Sequence, residues 1–194
     1  MAVVSLGSSR SLGERHGLRL AVRPRLGHDV GKLIRQPDSS DLIQDVRVER
    51  MQLWPDDRGY FLEVMRQGIG LSAELGAEGL QVSCALSYPG TIKALHYHFE
   101  QTDLWVAAQG QLQVCLYDLR TDSTTFGACN TLFIGTLQPW ELLIPPGVGH
   151  GYKVVGPEPA VLVYVTSRFY NPADEGRMPY NDPGLNYDWE TQHK

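Results

Sequence analysis

Beyond residue 40 the sequence is a series of short apolar runs, each about as long as one β-strand and separated from the next by turn residues. Proline and glycine mark the boundaries, as at Pro89-Gly90 and Pro145-Pro146-Gly147. Many short strands at regular spacing are typical of an all-β antiparallel sandwich or barrel. Strands are predicted at residues 45–54, 60–65, 80–87, 92–98, 104–109, 111–118, 141–145, 151–155 and 160–167, with one short helix at 69–78.

The composition and length are typical of a soluble protein of one domain. The 194 residues are 42% hydrophobic and 20% charged, and no apolar run approaches the roughly 18 residues of a membrane span. We therefore expect one cytoplasmic domain without a membrane partner. The three cysteines, Cys84, Cys115 and Cys129, have no CxxC spacing, so we expect buried, reduced thiols rather than a redox or metal role.

Charge is distributed unevenly along the chain. Residues 1–37 carry seven Lys or Arg against two acids, whereas residues 38–194 carry ten against twenty. The basic segment is rich in Gly and Ser and lacks apolar periodicity, which predicts an N-terminal extension at 1–40, disordered or loosely docked, before a domain at 41–194. A chain that starts near Asp38 should then keep its melting temperature. Nucleic-acid binding is not expected, because the domain is acidic and no aromatic residues lie among the basic ones.

Histidines are the first candidate functional residues. His96 and His98 lie two positions apart in a predicted strand, so both should project from the same face. With Glu100 and His150 they could form a metal site of three imidazoles and one carboxylate, suited to Fe, Mn, Ni or Zn. The spacing of Gly90, His96 and His98 resembles a signature motif of the cupin superfamily. In metal-binding cupins, however, the acid follows the second histidine by several residues, whereas here only Phe99 lies between His98 and Glu100.

A second candidate set has no metal and consists of His96, Asp182 and Tyr164. Histidine is the usual general base near neutral pH, and a carboxylate beside it fixes its tautomer and stabilises the imidazolium. A tyrosine on the opposite wall could return a proton from the other side. Residue types alone do not select these three from the six histidines and nine tyrosines.

An ordered series of motifs resembles the dTDP-4-dehydrorhamnose 3,5-epimerase family. The motifs are DDRGYFLEV (56–64), ALHYH (94–98), LYDLRTDSTTFG (116–127), LLIPPGVGHGY (142–152), the segment 164–172 and PYNDPGLNYDW (179–189). The resemblance implies a cupin-type jelly-roll fold, a homodimer, and no metal or other cofactor. It also implies epimerisation at carbons 3 and 5 of a 4-keto-6-deoxyhexose nucleotide, on the route to dTDP-L-rhamnose.

The same resemblance implies roles for individual residues. It assigns the catalytic base to His96, its dyad partner to Asp182 and the acid to Tyr164. The substrate contacts that it implies are Arg58, Glu63, Gln81, Lys93, His150 and Tyr170.

Two departures from the family pattern stand out. Lys93 replaces an arginine that contacts the diphosphate, so the charge remains but the two-pronged hydrogen bonding is lost. Asp103 replaces a lysine close to the keto oxygen, where a carboxylate would repel the developing enolate. These changes indicate a different sugar nucleotide or inversion of one carbon only. A non-catalytic sugar-nucleotide-binding protein and a metal-dependent cupin enzyme remain as alternatives.

Overall fold

The computed structural model describes residues 8–76 and 79–190, and in that part of the chain nearly all regular structure is β. A short 3₁₀ helix, Gly70–Leu75, is the exception. The strands are β1 (Arg10–Arg15), β2 (Leu18–Val22), β3 (Lys32–Leu33), β4 (Arg47–Arg50), β5 (Leu53–Asp56), β6 (Gly59–Leu62), β7 (Gln81–Ser87), β8 (Ile92–His98), β9 (Asp103–Gln109), β10 (Gln111–Asp118), β11 (Cys129–Gly135), β12 (Trp140–Ile144), β13 (Val148–Val155), β14 (Ala160–Thr166) and β15 (Glu175–Arg177).

Two sheets form the body of the fold. One has six strands in the order β15-β8-β13-β10-β11-β3, and the other has five in the order β4-β12-β9-β14-β7. Neighbouring strands are antiparallel, except that β3 runs parallel to β11. The sheets enclose the main hydrophobic core, so the predicted all-β antiparallel architecture is confirmed.

Side-chain alternation gives the six-stranded sheet two buried faces. On β10, Leu112, Val114 and Leu116 enter the core between the sheets, whereas Cys115 and Tyr117 enter a second cluster on the opposite face. All five are fully buried. A sheet buried on both faces needs a cover on its outer side, and the ends of the chain supply it.

The N-terminal segment is that cover from Arg10 onward, which differs from the expected loose extension. His16 and Gly17 both have positive φ, the conformation of a two-residue hairpin turn, and join β1 to β2. Leu20 and Val22 of β2 are 1% and 0% exposed in the second cluster. Within the described residues, the part of this segment from β2 onward therefore packs against the rest of the chain.

The basic residues hid this pattern because they occupy exposed positions between the apolar ones. Arg19, between Leu18 and Leu20, pairs with Asp122 at 2.8 Å on the surface. Ile34, just after β3, is 2% exposed and belongs to the main core. The segment thus buries apolar side chains while keeping its charge in solvent.

Other local expectations had mixed outcomes. Strand β11 was not predicted, because it is buried on both faces except at Phe133 and so shows no clear alternation. The predicted helix is a shorter 3₁₀ turn, and its last two residues lie outside the described residues. Cys115 and Cys129 are buried free thiols, whereas Cys84 is exposed. Within residues 8–76 and 79–190, no helix combines the length and hydrophobicity needed to span a membrane.

Leu20→Ala should show whether the N-terminal hairpin is part of the fold. Truncating a fully buried leucine leaves a cavity and should lower the free energy of unfolding by about 2–5 kcal/mol. The matched control is Leu26→Ala, because Leu26 is 65% exposed in the same segment. Urea unfolding of both variants measures the difference, and equal small effects would mean that the hairpin is not docked.

Candidate active site

A cavity of ≈ 550 Å³ lies between the two sheets. This volume is typical of a small-molecule site. One side of its wall consists of residues of β8, β13 and β15 from the six-stranded sheet, and the other side consists of residues of β7, β9 and β14 from the five-stranded sheet. The polar and aromatic residues that line it are Gln81, Lys93, His96, His98, Gln101, Asp103, Trp105, Tyr152, Tyr164, Thr166, Tyr170, Glu175 and Arg177.

Strand alternation on β8 places two histidines in this cavity. Leu95 and Tyr97 face the second cluster, whereas His96 and His98 face the cavity, as their spacing predicted. On the neighbouring strand β13, His150 pairs in register with His96, and the two rings lie 4.1 Å apart between centroids. Three imidazoles therefore gather where β8 and β13 meet.

His150 lies behind this wall rather than on it. Its side chain is 2% exposed, and it is not among the residues that line the cavity. The expected contact of His150 with the sugar stays a prediction. Its Nδ1 lies 2.8 Å from the carbonyl oxygen of Val148. Because a carbonyl only accepts, Nδ1 carries the proton and donates it. The other nitrogen, Nε2, points toward Asp103.

Asp103 is a carboxylate buried among the histidines. Its Oδ1 accepts a hydrogen bond from Gln101 Nε2 at 2.7 Å, and its Oδ2 accepts one from Trp105 Nε1 at 3.2 Å. Burial by itself would raise the pKa of Asp103, but its interactions with His150, His98 and His96 outweigh burial and lower the pKa to about 2. Asp103 is therefore ionised at neutral pH.

The environment keeps His96 neutral. Burial lowers the pKa of His96 well below its ordinary 6.5, and repulsion from His150 lowers it further, while the negative charge of Asp103 acts in the opposite direction. Burial also lowers the pKa of His98, with Asp103 again opposing. A neutral imidazole in a cavity wall can accept a proton at physiological pH.

Three of the six expected substrate-binding residues line this cavity, namely Gln81, Lys93 and Tyr170. Tyr164, the expected acid, and His96 line it as well. Gln81 Oε1 accepts a hydrogen bond from the backbone N–H of Tyr170 at 3.0 Å, which joins two of them. Tyr164 belongs to β14 of the five-stranded sheet, so it and His96 are on facing walls.

Asp182 does not pair with His96, and the predicted dyad is corrected accordingly. Asp182 Oδ1 accepts hydrogen bonds from the N–H groups of Gly184 (2.9 Å) and Leu185 (3.3 Å), and Oδ2 pairs with Arg10 at 2.5 Å. Leu185 belongs to the second cluster, which lies on the face of β8 opposite to His96. An aspartate that bonds backbone amides two and three residues later stabilises a turn.

Three further expected residues lie away from the cavity. Glu100, the acid of the alternative metal set, follows the end of β8 and pairs with His16 and Arg168 at 2.5 and 2.7 Å. Arg58 pairs with Asp56 in the β5–β6 hairpin. Glu63 pairs with Arg66 just beyond that hairpin.

Sequence reasoning did not place Asp103 beside the histidines or Arg177 in the cavity. Asp103 had a signal, because it departs from the family pattern at the start of an apolar run, but its partner His150 is 47 positions away in the sequence. No sequence pattern indicated that Arg177 would reach the cavity. It reaches the cavity because β15 pairs with β8, with Arg177 opposite His96.

The sequence model for dTDP-4-dehydrorhamnose 3,5-epimerase matches residues 41–194. A spore coat polysaccharide biosynthesis protein, SpsL, of Bacillus subtilis is 43% identical over 155 residues, which cover 79% of this chain and 100% of that protein. A probable low-salt glycan biosynthesis epimerase, Agl13, of Haloferax volcanii is 37% identical over 153 residues, covering 77% of this chain and 96% of that protein.

Solved structures agree with the sequence comparison. The crystal structure of the Legionella pneumophila dTDP-6-deoxy-D-glucose-3,5-epimerase RmlC, in complex with dTDP-4-keto-L-rhamnose, has a TM-score of 0.66 and 26% identity. The match covers 78% of this chain and 82% of that one. All residues of the cavity lie within the matched range 41–194. The chain therefore belongs to the dTDP-4-dehydrorhamnose 3,5-epimerase family.

Proposed function

We propose that this protein inverts carbon 3, carbon 5 or both of a dTDP-4-keto-6-deoxyhexose. The observation that carries the proposal is the placement of His96 and Tyr164 on facing walls of one cavity. Inversion needs a base on one face of the sugar ring and an acid on the other. The Legionella relative, crystallised with dTDP-4-keto-L-rhamnose, supports this class of substrate.

In the proposed mechanism His96 removes the proton from a carbon next to the 4-ketone. The ketone makes this C–H acidic, because the electron pair moves into the carbonyl and forms an enolate. Tyr164 then donates its phenolic proton to the same carbon from the opposite face. Before the next turnover, His96 releases its proton to solvent and Tyr164 takes up a proton from solvent.

Asp103 is the carboxylate that we assign to the histidines in place of Asp182. Its charge raises the pKa of His96 against the effect of burial, so it stabilises the imidazolium that forms during catalysis. The family pattern suggested that an aspartate here would repel the enolate. In the structure Asp103 is directed at His150, Gln101 and Trp105 instead, which lessens that objection.

Lys93 and Arg177 are candidates for the diphosphate of the nucleotide. Both line the cavity, and a cation at its wall favours a negatively charged ligand. Arg177 also pairs with Glu175 at 2.5 Å, and its side chain is exposed, so it can reorient toward a ligand.

We further propose that the protein acts as a homodimer. The β5–β6 hairpin exposes Trp54 (51%) and Phe61 (65%), which stack on each other at 5.6 Å between ring centroids. Exposed aromatic side chains on a projecting hairpin favour a protein partner. In a dimer this hairpin would bring Arg58 and Glu63 to the cavity of the partner subunit, where the family resemblance assigns them nucleotide contacts.

His96→Ala and Tyr164→Phe should separate the two proton transfers. With dTDP-4-keto-6-deoxyglucose in heavy water, His96→Ala should lose deuterium exchange next to the ketone by about 10²- to 10⁴-fold. Tyr164→Phe should keep exchange while the inverted sugar fails to accumulate. NMR measures both, and Tyr88→Phe is the control because Tyr88 is exposed outside the cavity. Tight binding of the nucleotide without exchange in the unaltered protein would favour the non-catalytic alternative.

Asp103→Asn and Asp182→Asn should change different properties of the protein, namely kcat in the first variant and the melting temperature in the second. Asp103→Asn removes the negative charge beside the histidines and should lower kcat by about 10²-fold, the lower end of general-base assistance. Asp182→Asn should instead lower the melting temperature, because the turn and the contact with Arg10 weaken, with kcat little changed. Turnover and thermal unfolding of both variants test this. A large kcat loss at Asp182 with none at Asp103 would restore the dyad of the family pattern.

The pH profile of kcat/KM should have its acid limb well below pH 6.5. Because the pKa of His96 is lowered, the imidazole stays unprotonated, and therefore active as a base, as the pH falls through the range in which an ordinary histidine becomes charged. Asp103→Asn should move the limb further toward acid, since Asp103 raises the pKa of His96. A limb at or above pH 6.5 in the unaltered protein would contradict the assignment of His96.

A further inference from the structure

Four side chains converge beside the cavity as metal ligands would. One ligand atom from each of His96, His98, Asp103 and His150 lies within 4.8 Å of every other. They come from three different strands, β8, β9 and β13, so the tertiary fold creates the cluster. The set contains Asp103 in place of Glu100, the acid expected from the sequence.

The contact between His150 and Asp103 leaves a place for a cation. His150 Nδ1 donates its proton to the carbonyl of Val148, so Nε2 is the ring nitrogen available to a further ligand. This Nε2 lies 3.4 Å from Asp103 Oδ2, and both side chains are at least 97% buried. His150 Nε2 has no hydrogen-bond partner within the described residues. A buried carboxylate needs a compensating positive charge, and either a proton on Nε2 or a metal ion between the two atoms would supply it.

The separation suits a metal ion better than it suits a hydrogen bond. An N–H···O bond between charged groups is about 2.7–2.9 Å long. Two ligands each about 2.1 Å from a tetrahedral zinc ion are about 3.4 Å apart. The bond from Nδ1 to a backbone carbonyl is also the outer contact that usually orients a metal-binding histidine.

Gln101 bridges two of the four ligands. Its amide nitrogen donates to Asp103 Oδ1 at 2.7 Å and lies 3.2 Å from His98 Nε2. The carboxamide of Gln101 therefore occupies part of the space between these side chains that a metal ion would fill. A metal ion bound to His98 through Nε2 would displace it.

We propose that His96, His98, Asp103 and His150 bind one divalent transition-metal ion through three imidazole nitrogens and one carboxylate. This donor set suits zinc, iron, nickel and cobalt. The metal occupies the nitrogen with which His96 would accept a proton. Metal binding and proton abstraction are then mutually exclusive, a consequence that rests on the proposed function.

Cobalt(II) tests the site because its visible absorption reports bound nitrogen and oxygen ligands. Protein without a histidine tag is freed of metal with EDTA, dialysed, and titrated with Co²⁺. We expect one Co²⁺ per chain, displaced by Zn²⁺, with the stoichiometry checked by elemental analysis. Asp103→Asn should weaken binding by more than the 10- to 100-fold typical of losing an outer contact.

Two further variants sharpen the test. Glu100→Gln is the matched control, because this acid pairs with His16 and Arg168 and should leave Co²⁺ affinity unchanged. Gln101→Ala should strengthen binding, because the competing amide is gone. Thermal unfolding of every variant without metal shows that a loss of binding is not a loss of the fold. Absence of 1:1 binding, or binding that depends on Glu100 rather than Asp103, would overturn the site.

Heavy-water exchange on the sugar nucleotide then tests the consequence for His96. Exchange should fall as Co²⁺ occupancy rises and return with EDTA. Exchange that persists in the fully loaded protein, or that requires the metal, would overturn mutual exclusion. One Co²⁺ per chain without exchange in either state would refute the proposed function and leave the metal site standing. Exchange without metal binding would do the reverse.

Discussion

The structure depends on a charged carboxylate, Asp103, buried among three histidines. An isolated buried charge is costly, so its neighbours must compensate it. Gln101 and Trp105 donate hydrogen bonds to it, and His150 lies against it. Because these partners come from β9, its preceding turn and β13, the strands must keep their register for the cluster to form. Burial lowers the pKa of His96 at the cavity wall, and the charge of Asp103 opposes that shift, so stability and proposed chemistry share one set of contacts.

The six-stranded sheet separates two polar clusters that the predicted dyad of His96 and Asp182 would have joined. On the cavity side, His96 lies beside Asp103 and His150. On the other side, Asp182 stabilises a turn and pairs with Arg10 of the N-terminal hairpin. The hairpin is therefore a structural cover for the outer face, and Asp182 is part of how it docks. This division supports the proposal that Asp103 takes part in the chemistry and that Asp182 stabilises the fold.

A buried polar cluster in a β-sheet breaks the usual rule that apolar side chains fill such positions, and such exceptions are expected at functional sites. Here the exception is useful in two ways. In the proposed reaction, a neutral imidazole beside a carboxylate accepts a proton from an acidified C–H bond. In the proposed metal site, side chains of the same cluster bind a cation. We expect the position of Gln101 to decide whether a cation can bind, because its amide lies between two of the four side chains.

The sequence by itself determined the all-β class, most of the strands from β4 to β14, and the shared face of His96 and His98. These features follow from alternation along one strand and from turn residues, which are local properties. Family motifs added Tyr164, Gln81, Lys93 and Tyr170, all of which line the cavity. Only the tertiary structure decided that Asp103 rather than Asp182 or Glu100 joins the histidines, and that the basic N-terminus is docked. Those outcomes depend on which distant strands pair and which face each covers, and no local pattern encodes them.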